Sequence, residues 1–216
     1  MPETCALCDG CPFETPADRT IPEFHEIHVT VGTGDVGRFV SVCEANAIKP
    51  VVIAFQSSLR AGEATHVMTS QRVRGDRRAA MTEARRILDV MREAGLPAAR
   101  LKIETSLGPE PADVGYFESH LAFRIARGDE PRLRAAAAEI GGVRMSRNAF
   151  RREGETITMM VTLRDHGRDP AAFRSRLAEV RAGFSGRGFG AEREIVEWCW
   201  LDENPGMDDE WAFAAA

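Results

Sequence analysis

Two short patterns carry residue types that could do chemistry: Glu26-Ile27-His28 and Glu118-Ser119-His120. A spacing of two puts a carboxylate and an imidazole on the same side of a β-strand. An imidazole titrates near neutral pH and can act as general acid, general base or metal ligand. A carboxylate beside it can orient it, balance its charge or share an ion with it. A third pattern is Cys5, Cys8 and Cys11, a C-x2-C-x2-C run before Pro12. Thiols at that spacing could hold a metal ion or an iron–sulfur cluster, although no fourth cysteine follows at cluster spacing. Cys43 and Cys199 read as packed small hydrophobes.

The two Glu-x-His patterns lie 92 residues apart, and the same offset aligns other pairs without a gap. Ala45 meets Ala137, Ile48 meets Ile140, Gly62 meets Gly154, Met68 meets Met160 and Ile103 meets Ile195. A constant offset is the mark of an internal duplication. The periodicities agree with it. In the first copy 25–31, 51–55, 65–71 and 100–106 read as strands, and 35–47 and 76–94 as helices. In the second, 116–126, 143–151, 155–164 and 192–201 read as strands, and 130–140 and 170–184 as helices. Each copy has the order βαββαβ. The expected fold class is therefore α+β, a tandem duplication of a ferredoxin-like unit with two antiparallel sheets, helices outside and a shared cleft. The expected organisation is a Cys-containing tail over 1–23, repeats over 24–108 and 112–201, and an acidic tail over 202–216.

Alternation divides each strand into two faces. Ile27, Val29 and Val31 are expected to face helices, which leaves Glu26, His28 and Thr30 on the open side. Lys102 and Glu104 on the neighbouring fourth strand should join them. In the second copy Ser119, Leu121, Phe123 and Ile125 are expected to face helices. Glu118, His120, Ala122 and Arg124 are then on the open side with Glu194, Trp198 and Trp200. His66, Thr158 and Thr162 on the third strands are expected to point the same way.

His28-Val29-Thr30-Val31 resembles the His-x-Thr-x motif of the 2H phosphoesterases, whose two similar lobes each give one motif to a common cleft. That resemblance implies a phosphoric-ester hydrolase with a phosphate-bearing or other small-molecule substrate. One of His28 and His120 would then activate the nucleophile and the other protonate the leaving oxygen, with Thr30 and Lys102 beside them. The second copy has Ala122 where the motif has Thr, and Arg124 would take over the phosphate contact. A second reading is a metal site of Glu26, His28, Glu104, Glu118 and His120, a mixed set suited to Zn²⁺, Mn²⁺ or Fe²⁺. A third is a non-catalytic ligand-binding or assembly module. Tyr116-Phe117-Glu118-Ser119-His120, Lys102-Ile103-Glu104, Ser146-Arg147-Asn148-Ala149 and the Leu201–Trp211 tail also resemble segments of bacterial proteins of similar length. This resemblance implies a bacterial cytosolic origin and no particular reaction.

Composition limits the classes. The chain has 216 residues, net charge −5, 44% apolar and 28% charged residues, as in soluble globular proteins. No run approaches the roughly 18 apolar residues of a membrane span, and no secretory signal begins the sequence. A cytoplasmic setting is expected. The tails are acidic and the body is mildly basic. Nearly all the basic residues are Arg; the lysines are Lys49 and Lys102. No basic block interleaved with aromatics suggests a dedicated nucleic-acid surface. Gly32, Gly34 and Gly37 have dinucleotide-fingerprint spacing, but the acidic residue and parallel sheet such a site needs are not indicated. A glycine turn into a helix is the expectation.

Overall fold

In this computed structural model the described residues are 24–32, 34–57, 59, 61–106, 115–149, 154–167 and 169–211, with the backbone of 3–4 and 12–13. Cys5, Cys8 and Cys11 lie outside the described residues.

Two short strands, β1 (Glu3–Thr4) and β2 (Pro12–Phe13), pair with each other. Then follow β3 (Phe24–Val31), α1 (Val36–Ala45), β4 (Pro50–Gln56), β5 (Glu63–Thr69), β6 (Gln71–Arg74), α2 (Arg77–Glu93) and β7 (Ala98–Ser106). The chain continues with β8 (Tyr116–Ala126), α3 (Glu130–Ile140), β9 (Val143–Asn148), β10 (Thr156–Asp165), α4 (Pro170–Ser185) and β11 (Arg193–Asp202). The helix starts are chemically marked. The side chains of Asp35, Asp76 and Asp169 accept hydrogen bonds from Arg38, Ala79 and Ala171 backbone N–H groups, which satisfies donors that a helix N-terminus leaves unpaired. Gly75 precedes α2 at φ 130°, and a Cβ there would lie 2.9 Å from the Ala79 Cβ, so this entry requires glycine.

Two separate sheets facing a cleft were the expectation, and the pairing corrects it. The strands form one ladder in the order β5-β4-β9-β10-β8-β11-β7-β3-β6, and β5 pairs again with β3. The antiparallel ladder thus closes through eight strands, with β6 as an added strand. The physical reason is the cost of edges. A sheet that ends in an unpaired strand exposes a row of N–H and C=O groups. Strand β4 meets such a row on β9, with Ile53, Ala54 and Phe55 opposite Asn148, Arg147 and Ser146. Alternation tells which face of a strand is buried, not which strand its edge will meet, so closure left no trace in the periodicity.

The chain divides into two compact units. One is Met1–Val51, His66–Glu110 and Cys199–Pro205; the other is Val52–Thr65, Pro111–Trp198 and Gly206–Ala216. In the first, α2 packs on β3. Its apolar stripe of Ala80, Ala84, Ile87, Leu88 and Met91 is buried, as are Ile27, Val29, Leu101 and Ile103 on the strands. In the second, α4 covers β8: Phe117 stacks on Phe173 with ring centroids 5.1 Å apart, and Phe123 meets Phe184 at 4.8 Å. Helix cover on the Phe117 side leaves Glu118 and His120 on the opposite face of the same strand. Among the described residues no helix is long and apolar enough to cross a membrane.

Candidate functional site

Carboxylates and a histidine cluster on β3 and β7 in the first unit, and on β8 and β11 in the second. In the first, β3 and β7 are antiparallel neighbours with Glu26 opposite Glu104 and His28 opposite Lys102. Directly opposed residues project from the same face. His28 Nδ1 donates to the Thr69 carbonyl at 2.9 Å, since a carbonyl can only accept. Its Nε2 is 3.0 Å from Glu104 Oε2 and 4.0 Å from Glu26 Oε1. Lys102 Nζ lies 2.5 Å from the other Glu104 oxygen. Glu26 accepts from Ser70 Oγ at 2.6 Å and from Arg72 at 2.9 Å. Lys49 Nζ donates to Ser70 Oγ at 3.2 Å. The two lysines of the chain therefore stand at the two ends of one polar network.

Charges in this cluster shift its titrations in opposite directions. Burial disfavours the His28 imidazolium, but the hydrogen bond and charge of Glu104 outweigh burial, and its pKa is raised. Burial would raise the Glu26 carboxyl, but His28, Ser70 and Arg72 outweigh it and the value is lowered. On the helix side of β3, His25 behaves oppositely: burial and then the Arg77 charge lower its pKa. Its Nδ1 accepts from Trp200 Nε1 at 3.1 Å. A histidine whose folded pKa is raised adds stability that is full below its unfolded value of about 6.5 and is lost as pH rises through the folded value. The unfolding free-energy gap between wild type and His28→Gln should therefore narrow as the pH of denaturant titrations is raised from about 5.5 to about 8.5. A gap that stays flat or widens over that range would contradict the raised His28 pKa.

In the second unit, β8 and β10 are antiparallel, with His120 opposite Thr162 and Glu118 opposite Arg164. His120 Nδ1 and Thr162 Oγ1 are 3.0 Å apart. Nε2 is 3.2 Å from Glu118 Oε1 and 3.7 Å from Glu197 Oε2. The other Glu118 oxygen accepts from Arg164 Nε at 2.8 Å, and Arg164 also pairs with Asp208. The Tyr116 ring packs against the Arg164 guanidinium at 4.4 Å. Glu118 is 3% exposed at its side chain, His120 23% and Glu197 12%. Two carboxylate oxygens thus converge on one imidazole nitrogen in a partly dried site. A proton on Nε2 or a cation beside it would offset their repulsion, as Arg164 does at the other Glu118 oxygen.

The expected residues are distributed as follows. Glu26, His28, Lys102 and Glu104 come together in the first unit. Thr30 is buried opposite Arg100, and His66 is buried on β5. Glu118, His120 and Thr162 come together in the second unit. Arg124 is exposed and sits opposite Thr158. The register of β11 differs from expectation by one residue. Trp198 packs edge-on against Phe117 at 4.6 Å, on the helix side, so Glu197 and not Trp198 shares the face of His120. Glu197 was missed because Ile195, Val196, Trp198 and Trp200 make both faces of that strand apolar. A signal existed: Lys102-Ile103-Glu104 matches Ile195-Val196-Glu197 at an offset of 93, one residue more than the rest of the repeat.

No family model matches the chain, and no curated protein matches it. Among solved structures, the chain is similar to a protein of Fusobacterium nucleatum described provisionally as a monooxygenase, at 9% identity and a TM-score of 0.34. That match covers 86% of this chain and 95% of that one. It is also similar to a novel heme-binding protein from Thermus thermophilus, at 12% identity and a TM-score of 0.28, over 83% and 92% of the two chains. Likeness at that level assigns no activity. The 2H phosphoesterase resemblance is corrected, and with it the phosphoesterase-type cleft enzyme. One closed ladder replaces the two facing sheets, and a carboxylate stands against Nε2 of each motif histidine, where a phosphate would be repelled.

Proposed function

We propose that the second unit binds a divalent transition-metal ion through Glu118, His120 and Glu197. The observation that carries this reading is the convergence of two carboxylate oxygens on His120 Nε2 while Nδ1 is engaged by Thr162. Ligating histidines commonly tie their second nitrogen to a hydrogen-bonding partner, which fixes the ring and aims the first. The 3.2 Å between His120 Nε2 and Glu118 Oε1 lies within the roughly 3.0–3.4 Å between donor atoms that share an ion with bonds of about 2.1 Å, and Glu197 Oε2, at 3.7 Å from the same nitrogen, must move closer to join them. One nitrogen and carboxylate oxygens suit Mn²⁺, Fe²⁺ or Zn²⁺. Arg164, held charged by Glu118 and Asp208 against the cost of its burial, fixes the carboxylate that would bind the ion. Three protein donors leave positions for a small oxygen-donor ligand, and this is the small-molecule partner the reading implies. The reading is one of binding, not of a reaction. A cytoplasmic setting fits the buried Cys43 and Cys199 thiols; burial, with a smaller contribution from Glu44, pushes the Cys43 thiol up to about 11, which keeps it unreactive.

Manganese binding to the full chain, read by the loss of the free Mn²⁺ electron paramagnetic resonance signal, tests it. Saturable binding should occur in wild type and weaken at least tenfold in His120→Ala and in Glu197→Gln, a loss of at least about 1.4 kcal/mol. Wild type without saturable binding, or folded variants that bind as wild type does, would overturn it.

A further inference from the structure

The chain leaves the second unit after Trp198 and returns to it at Gly206. The returning stretch is a tight helical turn over Pro205–Glu210, followed by Trp211, and it is fixed at two points. At its far end the Trp211 indole stacks on Phe55 at 4.8 Å, and Ser57 Oγ donates to Glu210 Oε1 at 3.1 Å. Three residues earlier stands Asp208, the one buried residue of the turn, whose carboxylate pairs with Arg164. The Trp211 backbone N–H donates to the Asp208 carbonyl at 3.0 Å, which ties the two anchors together.

Arg164 is shared. Its Nε donates to Glu118 Oε2 at 2.8 Å. Its Nη2 lies 2.7 Å from the same oxygen and also donates to Asp208 Oδ2. Glu118, Arg164 and Asp208 thus form a row of alternating charge, with all three side chains buried or nearly so.

We propose that Gly206–Trp211 is a strap that governs the metal site: Asp208 is a positioning residue that draws Arg164 partly away from Glu118, so that docking of the strap and binding of an ion at Glu118, His120 and Glu197 strengthen each other. The proposal rests on the metal reading of the second unit and extends it to the regulation of that site.

Electrostatics give the direction. With Asp208 docked, the guanidinium divides its charge between two carboxylates, and Glu118 keeps donor strength for an ion. With Asp208 withdrawn, a buried guanidinium faces Glu118 alone. It then neutralises the carboxylate on which the ion depends and repels the ion itself. Asp208 serves a second cation as well. Burial and then the Arg164 charge hold the Arg144 pKa below its ordinary value, and Asp208 is the leading charge that offsets them. Two guanidiniums at one site oppose an incoming cation unless that carboxylate stays in place. Asp209, the next residue, does not share the role. It is 83% exposed and 4.0 Å from Arg144, where solvent screens it. Coupling of this kind is reciprocal: whatever factor the docked strap adds to ion affinity, the ion adds to strap docking.

The test titrates the full-length chain with Mn²⁺, read by the free-ion electron paramagnetic resonance signal, and measures hydrogen exchange over 205–211 by mass spectrometry with and without Mn²⁺. Asp208→Asn should bind the ion about tenfold more weakly than wild type, the usual cost of removing a partner that orients a ligand. Trp211→Ala, which touches no proposed ligand, should also weaken binding, and it keeps the result from depending on one variant; thermal melts establish that each is folded. Asp209→Asn makes the same change of charge one residue away and should bind as wild type does. Mn²⁺ should slow exchange over 205–211 in wild type and leave it unchanged in Asp208→Asn. Wild type that binds Mn²⁺ while folded Asp208→Asn and Trp211→Ala bind it equally well overturns this proposal alone. Weaker binding in Asp208→Asn with no effect of Mn²⁺ on exchange in wild type also overturns it, since Asp208 would then act by its charge without any coupling to the strap. Wild type without saturable binding overturns the metal reading and the strap together.

Discussion

Asp202→Ala should destabilise the protein by about 3–5 kcal/mol, because it strips a buried guanidinium of its bidentate partner. Arg100 Nε and Nη2 donate to the two Asp202 oxygens at 2.8 and 2.5 Å. The two side chains are 4% and 5% exposed. A fork-to-fork pair of this kind is the strong form of a charged hydrogen bond. Its net value against an apolar pair is small, because both ions lose their water when the chain folds. Removing one partner is different, since the other has already lost its solvent. Asp202 also accepts from the Asn204 backbone N–H, and Asn204 donates in turn to the Ala99 carbonyl, so the end of β11 loosens as well. Urea titrations should show the midpoint falling with little change in slope. The double variant Arg100→Met, Asp202→Leu should recover most of the loss. A single-variant cost below about 1 kcal/mol would place the pair among solvent-screened bridges.

Phe117→Ala should cost a similar amount, about 3–5 kcal/mol, by opening a cavity. Phe117 is fully buried between the Phe173 ring, stacked at 5.1 Å, and the edge of Trp198 at 4.6 Å. Aromatic contacts of this geometry contribute beyond their buried area. The site shares the consequence: Phe117 adjoins Glu118 on β8, and Trp198 adjoins Glu197 on β11. Tryptophan fluorescence should shift to the red as solvent reaches Trp198, and Phe117→Leu should fall between wild type and alanine. A fluorescence spectrum unchanged from wild type, with an unfolding cost under about 1 kcal/mol, would contradict the packing described.

How far the sequence disclosed these features varied with the range of the interaction that made them. Strand β8 was readable in full, because Phe117, Leu121 and Phe123 alternate with Glu118, His120 and Arg124 and one face alone is apolar. The neighbourhood of β3 and β7 was expected from the ferredoxin-like plan, for Glu26, His28, Thr30, Lys102 and Glu104 alike; the two strands do pair, although within one closed ladder and with Thr30 opposite Arg100. Strand β11 was not readable, because Ile195 on one face and Val196, Trp198 and Trp200 on the other removed the contrast, and a one-residue shift broke the offset that located Glu197. The contribution of β4 to the second unit, through its pairing with β9, was not readable either. Short apolar strands such as 51–55 fit any core equally well, and their partner is chosen by backbone groups that every sequence shares.

The polar bond between Ser57 Oγ and Glu210 joins residues 153 positions apart, and Ser57 also bridges Trp211, whose indole stacks on Phe55 at 4.8 Å. The second unit therefore contains both early and terminal stretches of the chain. During synthesis it cannot be completed until Trp211 has left the ribosome, and β4 waits for its β9 neighbour while roughly 90 residues are added. Such late, long-range assembly is slow and exposes sticky intermediates, so chaperone supply and growth temperature, rather than equilibrium stability, should set the yield of folded material.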